Sequence, residues 1–312
     1  MKTGIFTVRI LKYYPVIHIN IGAYRLKKFS IHTLEFRNPV LTASGTFGMG
    51  GEFAGLADYS KLGGITLKTV TPTPRAGNLP PRILETPCGL LNSIGLENPG
   101  MDELLREINS SHPFRAYDTN IVLSIAGESA DDFTRMAEAF IATGDIDMLE
   151  LNLSCPNIHA GGATFDSDCA NVRAIVSAVA RLDFPFTVKL SPNQDIVGNS
   201  IAAEDAGAHA LTISNTFLGM AFDRKTGAPY FRNKVAGFSG PAVKPMALYN
   251  IYRVAQKVKI PLIASGGIAS TGDAIDFLHA GASFVSIGTM NFVEPGIAEI
   301  IADGLTEYLR EK

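Results

Sequence analysis

Cysteine is scarce in this chain of 312 residues: three in all, at positions 88, 155 and 169, with no C-x-x-C pair among them. That scarcity excludes a disulfide framework and leaves too few clustered thiols for a zinc or iron–sulfur site. Long hydrophobic runs are missing as well. No apolar stretch reaches the roughly 18 residues of a membrane span, and Lys12, Tyr13, Tyr14 and Pro15 interrupt what would have to be the apolar core of a signal peptide. Charge is sparse: 18% of residues are charged, with a net charge of −3, so the chain is not built to grip nucleic-acid phosphates. What is present is 46% hydrophobic residues and 30 glycines, which call for a large core with many tight turns and exclude a disordered chain or a coiled coil. The expectation is a reduced, cytoplasmic, enzyme-sized protein. Residues 1–24 read as a local basic extension, either a strand-like arm or a misassigned start. They fall within an N-terminal segment, 1–29, that precedes a single catalytic unit over 30–312.

From Asn38 onward, short β-branched apolar runs alternate with longer segments of helical period. Strands are expected over 40–43, 64–70, 120–126, 148–154, 186–191, 210–215, 261–265 and 284–288. Helices are signalled independently. Ser129 with Asp132, and Ser270 with Asp273, have the form of N-caps, and Gly144 and Gly281 close the corresponding apolar-faced segments. Eight near-continuously apolar strands, each followed by a helix, predict a closed (β/α)8 barrel of the α/β class. An open doubly wound sheet would open with G-x-G-x-x-G after its first strand, whereas TASGTFGMGG has the wrong glycine spacing.

In such a barrel the chemistry sits where the strands end. Those ends carry Ser44, Lys68, Thr69, Asn152, Cys155, Asn157, Lys189, Asn215 and Thr216, followed by Gly266-Gly267 and Gly288-Thr289. The two glycine turns fall where barrels of this kind bind a phosphate by backbone N–H groups. Lys68 and Lys189 could snorkel to water without a role, stabilise an anionic ring, or form a Schiff base. Cys155, between two asparagines, is placed to serve as a general base once it reaches the thiolate state. Cys88 and Cys169 lack such neighbours and read as packing residues. Asn92, Asn152, Asn157 and Asn215 together suit a flat ligand with alternating carbonyl and N–H edges plus a carboxylate. On residues alone, a lyase or isomerase acting on a phosphorylated sugar through one of the lysines stays open.

The stretches ELNLSCPN (150–157), LLNSIGLENPG (90–100), VKLSPN (188–193), NTFLGMAFDRKTG (215–227), GFSGPAVKP (237–245), ASGGI (264–268) and IGTMNF (287–292) resemble class 1 dihydroorotate dehydrogenases. NSIGLENPG and FSGPAVKP are most similar to the B-type catalytic subunit. The resemblance implies one FMN per chain and oxidation of dihydroorotate to orotate in pyrimidine biosynthesis. Cys155 would take the C5 proton while hydride leaves C6 for the flavin N5, with Lys68 near both flavin and substrate. Substrate contacts would come from Lys68, Asn92, Ser93, Ile94, Gly95, Leu96, Asn152, Asn157, Asn215 and Thr216. Flavin contacts would come from Ser44, Lys68, Thr69, Ser124, Asn152, Lys189, Ser214, Gly240, Gly266, Gly267, Gly288 and Thr289. Ser124 stands where relatives offer an asparagine, which implies a shortened or water-mediated contact, and Ser214 stands where an apolar residue is common.

The B-type resemblance further implies a homodimer that forms a heterotetramer with an FAD- and iron–sulfur-carrying subunit, through which electrons reach NAD. Three scattered cysteines cannot house such a relay in this chain. An A-type enzyme that reduces fumarate unaided is the rival within the class.

Overall fold

The computed structural model describes residues 29–153 and 165–311. Residues 1–24, Ser154, Cys155 and Asn157 lie outside the described residues. In chain order the elements are β1 (Phe29–Ile31), β2 (Leu34–Phe36), β3 (Val40–Thr42), β4 (Gly64–Val70), β5 (Ile83–Thr86), β6 (Gly89–Asn92), α1 (Met101–Ser111) and β7 (Asn120–Ile125). They continue with α2 (Ala130–Ile141), β8 (Met148–Asn152), α3 (Cys169–Ala180), β9 (Phe186–Leu190), α4 (Ile196–Asp205), β10 (Ala210–Ile213), β11 (Phe217–Met220) and β12 (Val235–Ser239). The last are α5 (Lys244–Ala255), β13 (Leu262–Ser265), α6 (Thr271–His279), β14 (Phe284–Ile287) and α7 (Ile297–Arg310).

Eight of these strands close a barrel in the order β3-β4-β7-β8-β9-β10-β13-β14, each pair parallel. They are the eight strands expected from the apolar runs, so the (β/α)8 reading stands. The strands are less uniformly apolar than expected, because the two sides of each strand face different surroundings. One phase, including Ile65, Leu123, Leu149, Val188, Leu211 and Val285, packs outward against the helices. The other faces the barrel interior, where Leu41, Val122, Met148, Ala210, Ile263 and Phe284 form a bottom layer.

The helix caps are where the sequence places them. Ser129 accepts from the Asp132 N–H and Ser270 from the Asp273 N–H. One expected helix is missing, however. Between β3 and β4 the described chain makes only two 3-10 turns, Gly51–Phe53 and Tyr59–Lys61. Five glycines fall within residues 45–55, and each costs a helix about 1 kcal/mol relative to alanine. An aromatic cluster covers the barrel there instead: Phe47 stacks on Phe53 at 4.2 Å and Tyr59 meets Tyr117 edge-on at 5.1 Å. Burial pushes the Tyr59 hydroxyl up to about 12, so it stays a neutral donor to the Gly50 carbonyl.

Two features outside the barrel shape its ends. The hairpin β1–β2 closes the bottom, with Ile31 and Phe36 packed into the Leu41–Phe284 layer. At the other end β11, β12, β6 and β5, drawn from two separate loops, form an antiparallel sheet that roofs the barrel.

Candidate active site

Between the strand ends and that roof lies a cavity of about 1070 Å³. Small-molecule sites typically run from about 300 to 1,000 Å³, so this one has room for a nucleotide and a small ring together. Lys68, Asn152, Lys189 and Ser265 line its floor from four different strands, with Ser214 directly after the end of β10. Lys68 sits at an irregularity in the β4–β7 register, between Leu67 and Val70. Its own N–H donates to the Gly48 carbonyl at 2.8 Å, which ties the end of β4 to the glycine-rich loop after β3.

The amide side chains are held by one another. Asn215 donates to Asn152 Oδ1 and Asn152 to Thr69 Oγ1, both at 3.4 Å, while Asn215 Oδ1 accepts from the Thr216 N–H at 2.8 Å. Ser124 is the foot of this chain. It is fully buried, shares a 2.8 Å hydrogen bond with Thr69 Oγ1, and lies beneath the cavity wall instead of on it.

Asn92 is not at a barrel strand end at all. It closes β6 in the roof, where it pairs with Gly237 of β12 and donates to the Gly237 carbonyl at 3.3 Å. The segment Ser93 to Leu96 that follows is pinned from several sides. Asn78 donates to the carbonyl and hydroxyl oxygens of Ser93 at 3.0 Å, and Arg82 bridges to Glu97 at 2.6 Å. Asn98, buried, donates to Leu96 O and Thr71 Oγ1 at 2.7 Å and accepts from the N–H groups of Thr71 and Gly100.

At the far side, Gly266 and Gly267 lead from β13 to α6, and Gly288 and Thr289 follow β14. Gly267 has φ +79°, and a Cβ there would come within 2.5 Å of the Lys244 backbone nitrogen. Only glycine lets this turn lie against the start of α5. Lys244 clamps α5 to α6 through Asp273 and, at 2.7 Å, Asp276. Thr289 donates to Ser239 Oγ at 2.9 Å, joining the end of β14 to the roof beside Gly240. Hydroxyls and backbone N–H groups at this end suit a phosphate. Lysines and amides at the other suit a flat ring with carbonyl edges.

The structure therefore gathers Ser44, Lys68, Thr69, Asn92 to Leu96, Asn152, Lys189, Ser214, Asn215, Thr216, Gly240, Gly266, Gly267, Gly288 and Thr289 around one cavity. Residues 26–309 match the family described as Dihydroorotate dehydrogenase. The chain belongs to the dihydroorotate dehydrogenase family. Its members are oxidoreductases, and so is this chain. Curated relatives named "Dihydroorotate dehydrogenase B (NAD(+)), catalytic subunit" include that of Malacoplasma penetrans, 44% identical over 91% of this chain and 93% of the relative. Those of Thermoanaerobacter pseudethanolicus and Desulforudis audaxviator are also 44% identical, covering 88% and 91% of this chain and 91% and 92% of the relatives.

Two sequence expectations need correction or completion. Cys88 is not a packing residue: it is exposed, beside the turn between β5 and β6. Cys169 does pack, half-buried at the start of α3, with its thiol donating to Asn199 Oδ1 at 3.2 Å. Asn193 was missed. Its Nδ2 donates to the Thr216 carbonyl at 3.1 Å and its Oδ1 accepts from the Leu218 N–H at 3.0 Å, so it fixes the loop that carries Asn215 and Thr216. Its place in VKLSPN after a strand end was the available signal. Among the described residues no group of three or more His, Cys, Asp or Glu side chains is placed to hold a metal ion, and no helix is long and apolar enough to cross a membrane.

Proposed function

We propose that this chain oxidises (S)-dihydroorotate to orotate with FMN as its resident cofactor, and that a partner subunit carrying FAD and an iron–sulfur cluster passes the electrons to NAD. The observation that carries the reading is the single cavity, with its phosphate-type end at Gly266, Gly267, Gly288 and Thr289 and its ring-type end at Lys68, Asn92, Asn152 and Asn215. That donor set fits FMN at the first end and a carboxylated pyrimidine at the second. The names of the relatives, which are NAD(+)-type catalytic subunits, support the partner and the acceptor.

FMN, when bound, supplies at its N5 the acceptor for the hydride that leaves C6. The protein's own residues do the rest. Cys155, three residues after Asn152 in the chain, takes the C5 proton, which makes its thiolate the working form. Lys68 brings a cation to the floor, where it offsets the substrate carboxylate and the charge that develops as the ring is oxidised. Asn152, Asn215 and Thr216 orient the ring edges, held by the hydrogen-bond chain that Ser124 and Asn193 anchor, and Asn92 does so from the roof, where it is held by the Gly237 carbonyl.

Cys155→Ala tests the base. It should retain FMN yet lose most dihydroorotate oxidation, and Cys155→Ser should keep a little activity at high pH. Normal turnover by Cys155→Ala would remove Cys155 from its role. The electron exit is tested by adding oxidants to the anaerobically reduced chain: recovery only with NAD plus the partner supports the reading, whereas recovery with fumarate alone contradicts it.

A further inference from the structure

We infer that Glu150 is a positioning residue for Lys189: its buried carboxylate holds the lysine at the cavity floor, offsets its charge, and so limits how strongly the cavity favours reduced over oxidised flavin. The inference rests on FMN being the resident cofactor. Glu150 lies at the middle of β8, two residues below Asn152, and Asn152 pairs in register with Lys189 on β9. Its Oε1 stands 3.5 Å from Lys189 Nζ, and the two side chains are 5% and 7% exposed. That oxygen accepts no hydrogen bond from any described residue.

The neighbouring hydroxyls are engaged elsewhere. Thr187, opposite Glu150 on β9, bonds Thr212 at 3.0 Å, and Ser124, opposite on β7, bonds Thr69 at 2.8 Å. Lys189 is thus the carboxylate's one charged neighbour among the described residues, and it turns its second contact to Ser44 Oγ at 2.9 Å on the cavity wall.

Packing alone does not explain an acid here. A buried ion pair is generally no more stabilising than apolar side chains of the same volume, and Met148, one layer lower on the same strand, shows that this phase of β8 accepts an apolar group. The pair instead makes the two cavity lysines electrically different. Lys68 has no carboxylate in ion-pair contact among the described residues, whereas Lys189 has one. Two-electron reduction leaves negative charge on a flavin ring, and a bare cation beside it stabilises that charge. NAD is a weak oxidant, so electrons destined for it must not be held too tightly. Glu150 supplies the offset.

The test is the midpoint potential of bound FMN in the wild type, Glu150→Gln, Lys189→Met and the double variant, measured anaerobically by spectral titration. Glu150→Gln should favour the reduced flavin about tenfold, which for a two-electron couple is about 30 mV more positive. Lys189→Met removes the charge that Glu150 offsets, so adding Glu150→Gln in that background should change the potential much less than it does with Lys189 present. Glu150→Asp, which keeps the charge, should recover most of the wild-type value. Equal shifts in both backgrounds, or none in either, overturn the inference. If Glu150→Gln fails to retain FMN, thermal unfolding of the flavin-free chains decides. Each single variant should lower Tm and the double variant should recover much of the loss, while simple additivity contradicts the pairing. A wild-type chain that cannot bind FMN overturns the proposed function, and the flavin-free cycle then judges the pair separately.

Discussion

The two ends of the barrel are built from the same eight strands and serve opposite needs. On β8 the inward side chains run Met148, Glu150, Asn152 from bottom to top, and on β10 they run Ala210, Thr212, with Ser214 just beyond the strand's end. The bottom is apolar and capped by Ile31 and Phe36 of the hairpin. The top is polar and left open beneath a sheet that belongs to no barrel strand. Between them, a layer including Thr66, Ser124, Glu150, Thr187 and Thr212 is buried yet polar. The lesson is a division of labour. Burial at the bottom, worth roughly 1.5–3 kcal/mol for each large side chain, stabilises the barrel, and the upper layers use that stability to keep charges and amides out of water and in place.

Substitutions at the two ends should separate these roles. The largest effect on stability is expected at Phe284, fully buried and in edge contact with Phe36 at 4.9 Å. Phe284→Ala should cost about 3–5 kcal/mol in denaturant unfolding, while the fraction that remains folded binds the proposed FMN as the wild type does. Flavin loss out of proportion to unfolding would erase the distinction between the ends. At the top, Lys68→Met should do the reverse: turnover falls by about 10²–10³, with the unfolding midpoint nearly unchanged.

Asn98→Ala sharpens the comparison, because this buried residue supports the Asn92–Leu96 segment without lining the cavity itself. Losing its hydrogen bonds should cost about 1–3 kcal/mol and raise the KM for dihydroorotate more than it lowers kcat. A pure kcat effect would place Asn98 in the chemistry.

The smallest effect concerns His209 at the bottom. Its ring stacks on His32 at 4.0 Å and leans on Phe186 at 4.7 Å, with Asp183 bonded to His32 across the group. Burial, and then the nearby His32, lowers its pKa, partly opposed by Asp183 and the Phe184 backbone. Above about pH 6.5, the ordinary histidine value, folded and unfolded chains are both neutral at this site. Below it the unfolded chain binds a proton that the folded one resists, so stability declines as pH falls. His209→Phe should flatten that part of the Tm-against-pH curve between pH 7 and 5. An unchanged slope would show that other groups carry it.

Local signals made much of this legible. The apolar runs gave the eight barrel strands, and Ser129 with Asp132 and Ser270 with Asp273 gave two helix starts, because capping acts within one turn of chain. The polar strand ends gave Lys68, Asn152, Lys189 and Asn215. The roof was not legible. Ile83 to Thr86 and Phe217 to Met220 are four-residue strands with exposed apolar side chains, and their pairing depends on β12 and β6 meeting across 145 residues of chain, as Asn92 and Gly237 do. Glu150 stood in plain view in ELNLSCPN, but its meaning depends on strand phase, which alone turns it toward Lys189. Ser124 read as a shortened or water-mediated flavin contact; that its hydroxyl lies beneath the cavity wall and bonds Thr69 depends on the neighbouring strand, which the local sequence does not show.

The most direct test of the central claim is the visible spectrum of the purified chain under anaerobic conditions, before and after dihydroorotate. A yellow protein that releases FMN on denaturation and bleaches on adding dihydroorotate is the predicted result. A colourless chain that cannot be reconstituted with FMN, or a flavin that dihydroorotate leaves oxidised, would contradict it.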